Sequence, residues 1–214
     1  MRRLLVLAAV VTPFLAPAVA APLGAQAAFY PALQPTRVAV REYNFAIADL
    51  SGGGTGLIFQ WREGLGTKGL QFTFDGGIVD ADVPGAATQL AVGAGLARQA
   101  FTATAEFPFD IVIGGGIGVT TGETTTTRIP FGATVGHRFA LDQGIALTPF
   151  VAPRVSWNRV AGGGVTATDT NIEVDLGANI EITPQVAMRF AAIVGDNNAF
   201  ALSLALTPKG LERR

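Results

Sequence analysis

The sequence predicts an all-β chain folded as a closed, antiparallel up-and-down β-barrel of about ten strands, with eight as the alternative count. Three observations carry this. In TNIEVDLGANIEI, residues Thr170 to Ile182, the side chains of Ile172, Val174, Leu176, Ala178, Ile180 and Ile182 alternate with Asn171, Glu173, Asp175, Gly177, Asn179 and Glu181; a strand sets such alternate residues on opposite faces. The same period of two recurs in segment after segment from Thr36 to Thr207, with turn signals between and no helical period. The 27 glycines and abundant threonines suit strands and turns better than helices.

The elements follow in order. The first strand is expected over 37–49, where Val38 and Val40 fall out of phase with Tyr43, Phe45 and Ile47, a signature of a bulge near Arg41-Glu42. Strands over 55–63, 69–79 and 88–98 come next, the last carrying Gly93 and Gly95 on one face. In 108–120, Phe109, Ile111, Ile113, Ile117 and Val119 oppose Gly114, Gly116 and Gly118. In 127–140, Ile129, Phe131, Val135 and Phe139 oppose Gly132, Thr134, Gly136 and Arg138. In 145–158, Ile145, Leu147, Val151, Val155 and Trp157 oppose Thr148, Arg154, Ser156 and Asn158. After 170–182, the segment 186–194 sets Met188, Phe190, Ala192 and Val194 against Ala187, Arg189 and Ala191. The final segment, 198–207, sets Phe200, Leu202, Leu204 and Leu206 against Ala199, Ala201, Ser203 and Ala205. Tight connections at 140–144 and 183–185 alternate with polar loops at TTGETTTT (120–127) and VAGGGVTATD (160–169), as when every second hairpin points to the same side of a layer.

The first 27 residues read as an export signal: basic Arg2 and Arg3, an apolar stretch from Leu4 to Leu15, and Ala25-Gln26-Ala27 as the cleavage site. Residues 28–36 then form an irregular lead-in, 37–207 the barrel and 208–214 a polar tail. With no cysteine, the chain has no disulfide, thiolate metal site or cysteine nucleophile. A net charge of −1 gives no basis for a nucleic-acid partner.

Two architectures share this alternation. In a soluble lipocalin-like barrel or sandwich the aliphatic ladder is the core, and such a barrel would bind a small apolar ligand. In a transmembrane barrel the ladder faces lipid and the mixed face lines the bore. Four features favour the membrane. Only 14% of residues are charged, against about 25% in soluble domains, while 49% are hydrophobic. The expected strands run about nine to thirteen residues, enough to cross a bilayer when tilted. The mixed face is rich in Gly, Ala, Ser and Thr and poor in Lys. Finally, Trp61, Phe109 and Phe139 near one rim and Trp157 and Phe200 near the other are placed as an aromatic girdle.

With a signal peptide, this alternation and the closing strand Asn198 to Leu206, the chain resembles the small outer-membrane β-barrels of the OmpA/OmpX/OmpW type over about Thr36 to Thr207. The resemblance implies a bacterial outer-membrane location, with outer-membrane lipids and the barrel-insertion machinery as partners. The departures are a closing strand that ends on Leu206 and a polar tail, where the family ends on an aromatic, and ten strands where eight are common.

An enclosed mixed face would carry Arg62, Asp75, Asp110, Arg138, Arg154, Glu173, Asp175, Glu181 and Arg189, which should pair with one another, Arg154 with Glu173 or Asp175. The glycines leave volume there, for a narrow passive pore for small solutes or for large residues such as Phe150 to fill. No catalytic residue, cofactor or metal is expected: the single histidine, His137, has neither nucleophile nor acid beside it in sequence. The expected function is non-enzymatic, structural or surface-exposed, or that of a pore.

Overall fold

A computed structural model of the chain describes residues 31–50, 54–66, 69–80, 87–194 and 198–211. The expected signal peptide, the first three residues of the lead-in and the last three of the tail lie outside the described residues. The strands are β1 (Arg41–Asp49), β2 (Thr55–Gly64), β3 (Leu70–Asp80), β4 (Gln89–Phe101), β5 (Asp110–Thr121), β6 (Thr125–Gly136), β7 (Phe139–Ala140), β8 (Ala146–Gly162), β9 (Val165–Glu181), β10 (Val186–Val194) and β11 (Ala199–Leu206). Ten of them are long; β7 is a two-residue continuation of β6 that pairs with the start of β8. All pairs are antiparallel between chain neighbours, and β1 pairs with β11 to close the barrel, Phe45 opposite Leu204. Each long strand therefore has a partner on both sides, and closure removes the sheet edges that an open layer would expose. The termini of the barrel lie at the end that carries the Ile182–Gln185 turn, called here the turn end; the other is the loop end.

The strand limits differ from the sequence expectation in four places. The first strand begins at Arg41, and its ladders to β2 and β11 run without a bulge. The change of phase at Val40 marks the bend where the lead-in enters the strand. A register shift lies instead in β4, between Gln99 and Phe101. The expected strand 127–140 is interrupted at His137-Arg138, and the polar stretches expected as loops are largely strand. Threonine favours strands, so TTGETTTT narrows to a turn at 122–124. Gly163 and Gly164 both adopt positive φ, 58° and 79°, which closes β8–β9 as a two-residue hairpin. Both strands reach 17 residues. Because β10 ends at Val194 opposite Val174, the hairpin tip rises past it at the loop end.

Three prolines lie within paired strands, Pro130, Pro149 and Pro153, and two of them coincide with gaps in a ladder. Pro130 coincides with a lapse of the β5–β6 ladder between Gly115/Phe131 and Gly118/Arg128. Pro153 coincides with one in β6–β8 between Gly132/Arg154 and Val135/Val151. Proline has no N–H to donate across a ladder.

The two faces are sharply different. More than thirty large apolar side chains among the described residues are exposed on the outside, Phe45, Ile47, Leu57, Ile117, Leu176 and Leu204 among them. The inside is alanine, glycine and polar groups: Ala46, Ala91, Ala152 and Ala201 are buried beside Asn44, Gln60, Arg62, Asp75 and Arg189.

Candidate functional site

Among the described residues, the bore gathers polar and charged groups away from solvent. On β1, residues of even number point inward, so Glu42, Asn44, Ala46 and Ala48 are buried while Phe45 and Ile47 are exposed. Register sets Glu42 directly opposite Arg62 on β2. The Arg62 Nη1 donates to Glu42 Oε1 at 2.6 Å. From two strands away on β10, Arg189 donates through Nη1 and Nη2 to both Glu42 oxygens, at 2.7 and 2.6 Å. Its reach is open because the intervening β11 presents only small residues inward, Ala199, Ala201, Ser203 and Ala205. Arg189 Nε donates to Asn179 Oδ1 at 2.9 Å, so its fork is held at both ends.

A second cluster lies nearer the loop end. Arg154 on β8 stands opposite Glu173 on β9. Its Nε is 2.6 Å from Glu173 Oε2, and its Nη2 is 3.2 Å from Asp175 Oδ1. Arg128 of β6 closes on the same Glu173 oxygen and also donates to Ser156 Oγ at 3.0 Å. At the turn end Arg138 pairs with Glu181, its Nε and Nη2 at 3.0 and 2.8 Å from Oε2, and both are partly exposed. Arg37 Nε donates to the buried Asp110 Oδ2 at 2.9 Å. Asp75 is fully buried on the inner face of β3. Of the nine charged residues singled out in sequence, seven are thus buried and two sit at the mouth. The structure adds Glu42, Arg128 and Arg37. Glu42 is obscured in sequence by the expected bulge beside it and Arg37 by the strand expected over 37–49, whereas Arg128 lies within the expected strand 127–140 in phase with Gly132, Thr134 and Gly136, and the alternation could have found it.

The lead-in is the larger finding. Residues 31–39 do not join the sheet; they run up inside the barrel from the turn end. Four wall side chains capture their backbone. Gln71 Oε1 accepts from the Ala39 N–H at 2.8 Å. Gln99 accepts from the Val38 N–H and donates to the Thr36 carbonyl, both at 3.0 Å. Arg62 Nη2 donates to the Leu33 carbonyl at 3.0 Å, and Asp175 Oδ2 accepts from the Ala32 N–H at 2.8 Å. Both charge clusters thereby hold the segment.

Glycine supplies the room. A Cβ on Gly136 would stand 2.7 Å from Thr36 Cγ2 and 2.4 Å from the Pro149 carbonyl. A Cβ on Gly177 would stand 2.5 Å from the Phe150 ring, whose side chain is buried in the bore. An eight-stranded barrel is filled by its own side chains. Here ten strands and small inner residues leave a bore wide enough for one irregular segment of chain.

Outside, the five aromatics singled out in sequence all face away from the bore and are at least a third exposed. At the turn end they are part of a larger belt. Phe101, Phe107, Phe109, His137 and Phe139 follow one another with ring centroids 5.9, 5.8, 6.3 and 4.4 Å apart. His137 Nδ1 contacts the Pro108 carbonyl, so the histidine is one ring of this belt. Trp61 Nε1 donates to Glu63 at 3.1 Å, and Glu63 is bridged by Arg41 at 2.7 Å. Among the described residues no group of three or more His, Asp or Glu has a metal-binding arrangement. No family model matches the sequence, and no match to a curated protein was found.

Proposed function

We propose that the chain is a non-enzymatic bacterial outer-membrane barrel with a structural or surface-exposed role, and that its bore is closed in the resting state by its own lead-in. The observation that carries the reading is the inversion of faces. Burying a large apolar side chain is worth about 1.5–3 kcal/mol. Water would forfeit that at every outward Phe, Leu, Ile and Val, whereas hydrocarbon supplies it. Soluble monomers rarely expose apolar patches beyond a few hundred Å², and this apolar surface continues around the barrel. The aromatic belt at the turn end, with Trp157 and Phe200 outward near the loop end, fits the two interfaces of a bilayer. A lipocalin-like barrel would need the opposite arrangement, with aliphatics around a ligand; the bore instead holds Glu42, Arg62, Asp175 and Arg189. The filled bore favours a structural role over an open pore.

Fractionation tests the location. The mature protein should stay in the outer-membrane fraction through carbonate washing and migrate faster on gels when unheated. Release by carbonate alone would refute the membrane reading. Planar-bilayer recording of the intact protein should give no steady conductance; a stable open channel would refute the closed bore.

A further inference from the structure

We infer that the bore is a binding site for a peptide segment, occupied in cis by residues 31–39, and that the same wall groups bind such a peptide supplied from outside the chain. This deepens the closed-barrel reading and rests on it. The contacts are of the kind that recognise a peptide backbone. Five backbone groups, the N–H of Ala32, Val38 and Ala39 and the carbonyls of Leu33 and Thr36, are each met by a wall side chain. Gln99 takes the Thr36 carbonyl and the Val38 N–H, so one side chain clamps the bend at Thr36-Arg37. Pro35 brings no N–H to satisfy, which suits a segment held by side chains rather than by a ladder.

Two positions add selectivity. Leu33 is 1% exposed, and beside it lies a cavity of about 80 Å³ lined by Ala97, Val112, Gly114 and Ala152 together with Gln60, Arg62 and Arg154. Its wall is mostly apolar, so it accepts an aliphatic or somewhat larger side chain, and its two arginines disfavour a cation. Four residues on, Arg37 pairs with the buried Asp110, which calls for a basic residue. The ligand class is therefore a peptide with an apolar residue followed four positions later by Arg or Lys.

The test uses the mature barrel in planar bilayers and a variant lacking residues 31–36. The shortened barrel, shown folded by its heat-shifted gel mobility, should conduct. A synthetic peptide with the sequence of residues 31–40, added on the turn-end side, should close it reversibly. Peptides carrying Leu33→Lys or Arg37→Glu should need at least about ten-fold more. A folded shortened barrel that is silent, or that conducts and ignores the peptide, overturns the inference. Failure of the intact protein to enter vesicles at all would instead strike the membrane reading. Should the shortened barrel not fold, the full-length Leu33→Cys protein decides. Its maleimide labelling should be slow, and at least about ten-fold faster when Gln71→Ala and Gln99→Ala loosen the segment. An unchanged rate overturns the proposal.

Discussion

Replacing Glu42 with alanine should be among the most damaging single changes to the barrel. The carboxylate is fully buried and accepts three charge-assisted hydrogen bonds, one from Arg62 and two from Arg189, at 2.6 to 2.7 Å. Such bonds are worth about 1.5–3 kcal/mol each, so their sum would set an upper limit near 9 kcal/mol. The loss is smaller, because neither arginine is stranded. Arg62 keeps Gln60 Oε1 at 2.7 Å and the Leu33 carbonyl, and Arg189 keeps Asn179. What remains is the cost of leaving two buried guanidiniums without their anion, about 3–5 kcal/mol. Urea unfolding of the barrel in phospholipid vesicles, followed by the fluorescence of Trp61 and Trp157, measures it. With an m-value of about 3 kcal/mol/M, the midpoint falls by about 1 to 1.7 M. In a double-mutant cycle, Arg189→Met on the Glu42→Ala background should cost at least about 1 kcal/mol less than on the native background. A Glu42→Ala midpoint within about 0.3 M of native, with additive effects, would mean that the bore is wet enough to solvate bare charge. The reading of the inner face as a desolvated network would then fail.

On the outer face, Leu204→Arg should destabilise the vesicle-inserted barrel by about 2–4 kcal/mol, the cost of arginine at the bilayer midplane; a midpoint unchanged in vesicles would mean that Leu204 does not face hydrocarbon. Gly132→Ala places a Cβ 2.4 Å from the Pro153 carbonyl and 2.6 Å from Arg154 Cβ, so β6 and β8 must separate. That should cost about 1–3 kcal/mol in the same unfolding assay, and a neutral result would contradict the close approach of these strands. Thr168→Cys, on the exposed tip of β9, should be labelled by an impermeant maleimide on intact cells. Labelling only after the outer membrane is opened would refute the expectation that the loop end faces the cell exterior.

Much of the fold was legible because alternation is local. A period of two in residues 198–206 or 170–182 needs no partner to be read, and it assigns each side chain to one of two faces. Which face is outside followed from composition: leucine and phenylalanine on one, glycine, alanine and paired charges on the other. Boundaries were read less well where polar threonine and glycine suggested loops, at 120–127 and 160–169. There cross-strand pairing with β5, β6 and β8 extends the sheet past the point where the apolar signal fades.

The sequence by itself determined the succession of strands and the two-sided polarity, because these depend on residues one or two apart; closure, which pairs Phe45 with Leu204, followed only from the need to leave no open edge. Only the tertiary structure decided which charges meet and what fills the bore. Glu42 and Arg189 are 147 residues apart, and the Ala32 N–H and Asp175 are 143 apart. Such contacts arise from register and curvature summed around ten strands, which no local pattern encodes. The lead-in carries no alternation of its own; its place was set by the width of the closed barrel and by side chains that reach into it from four separate strands.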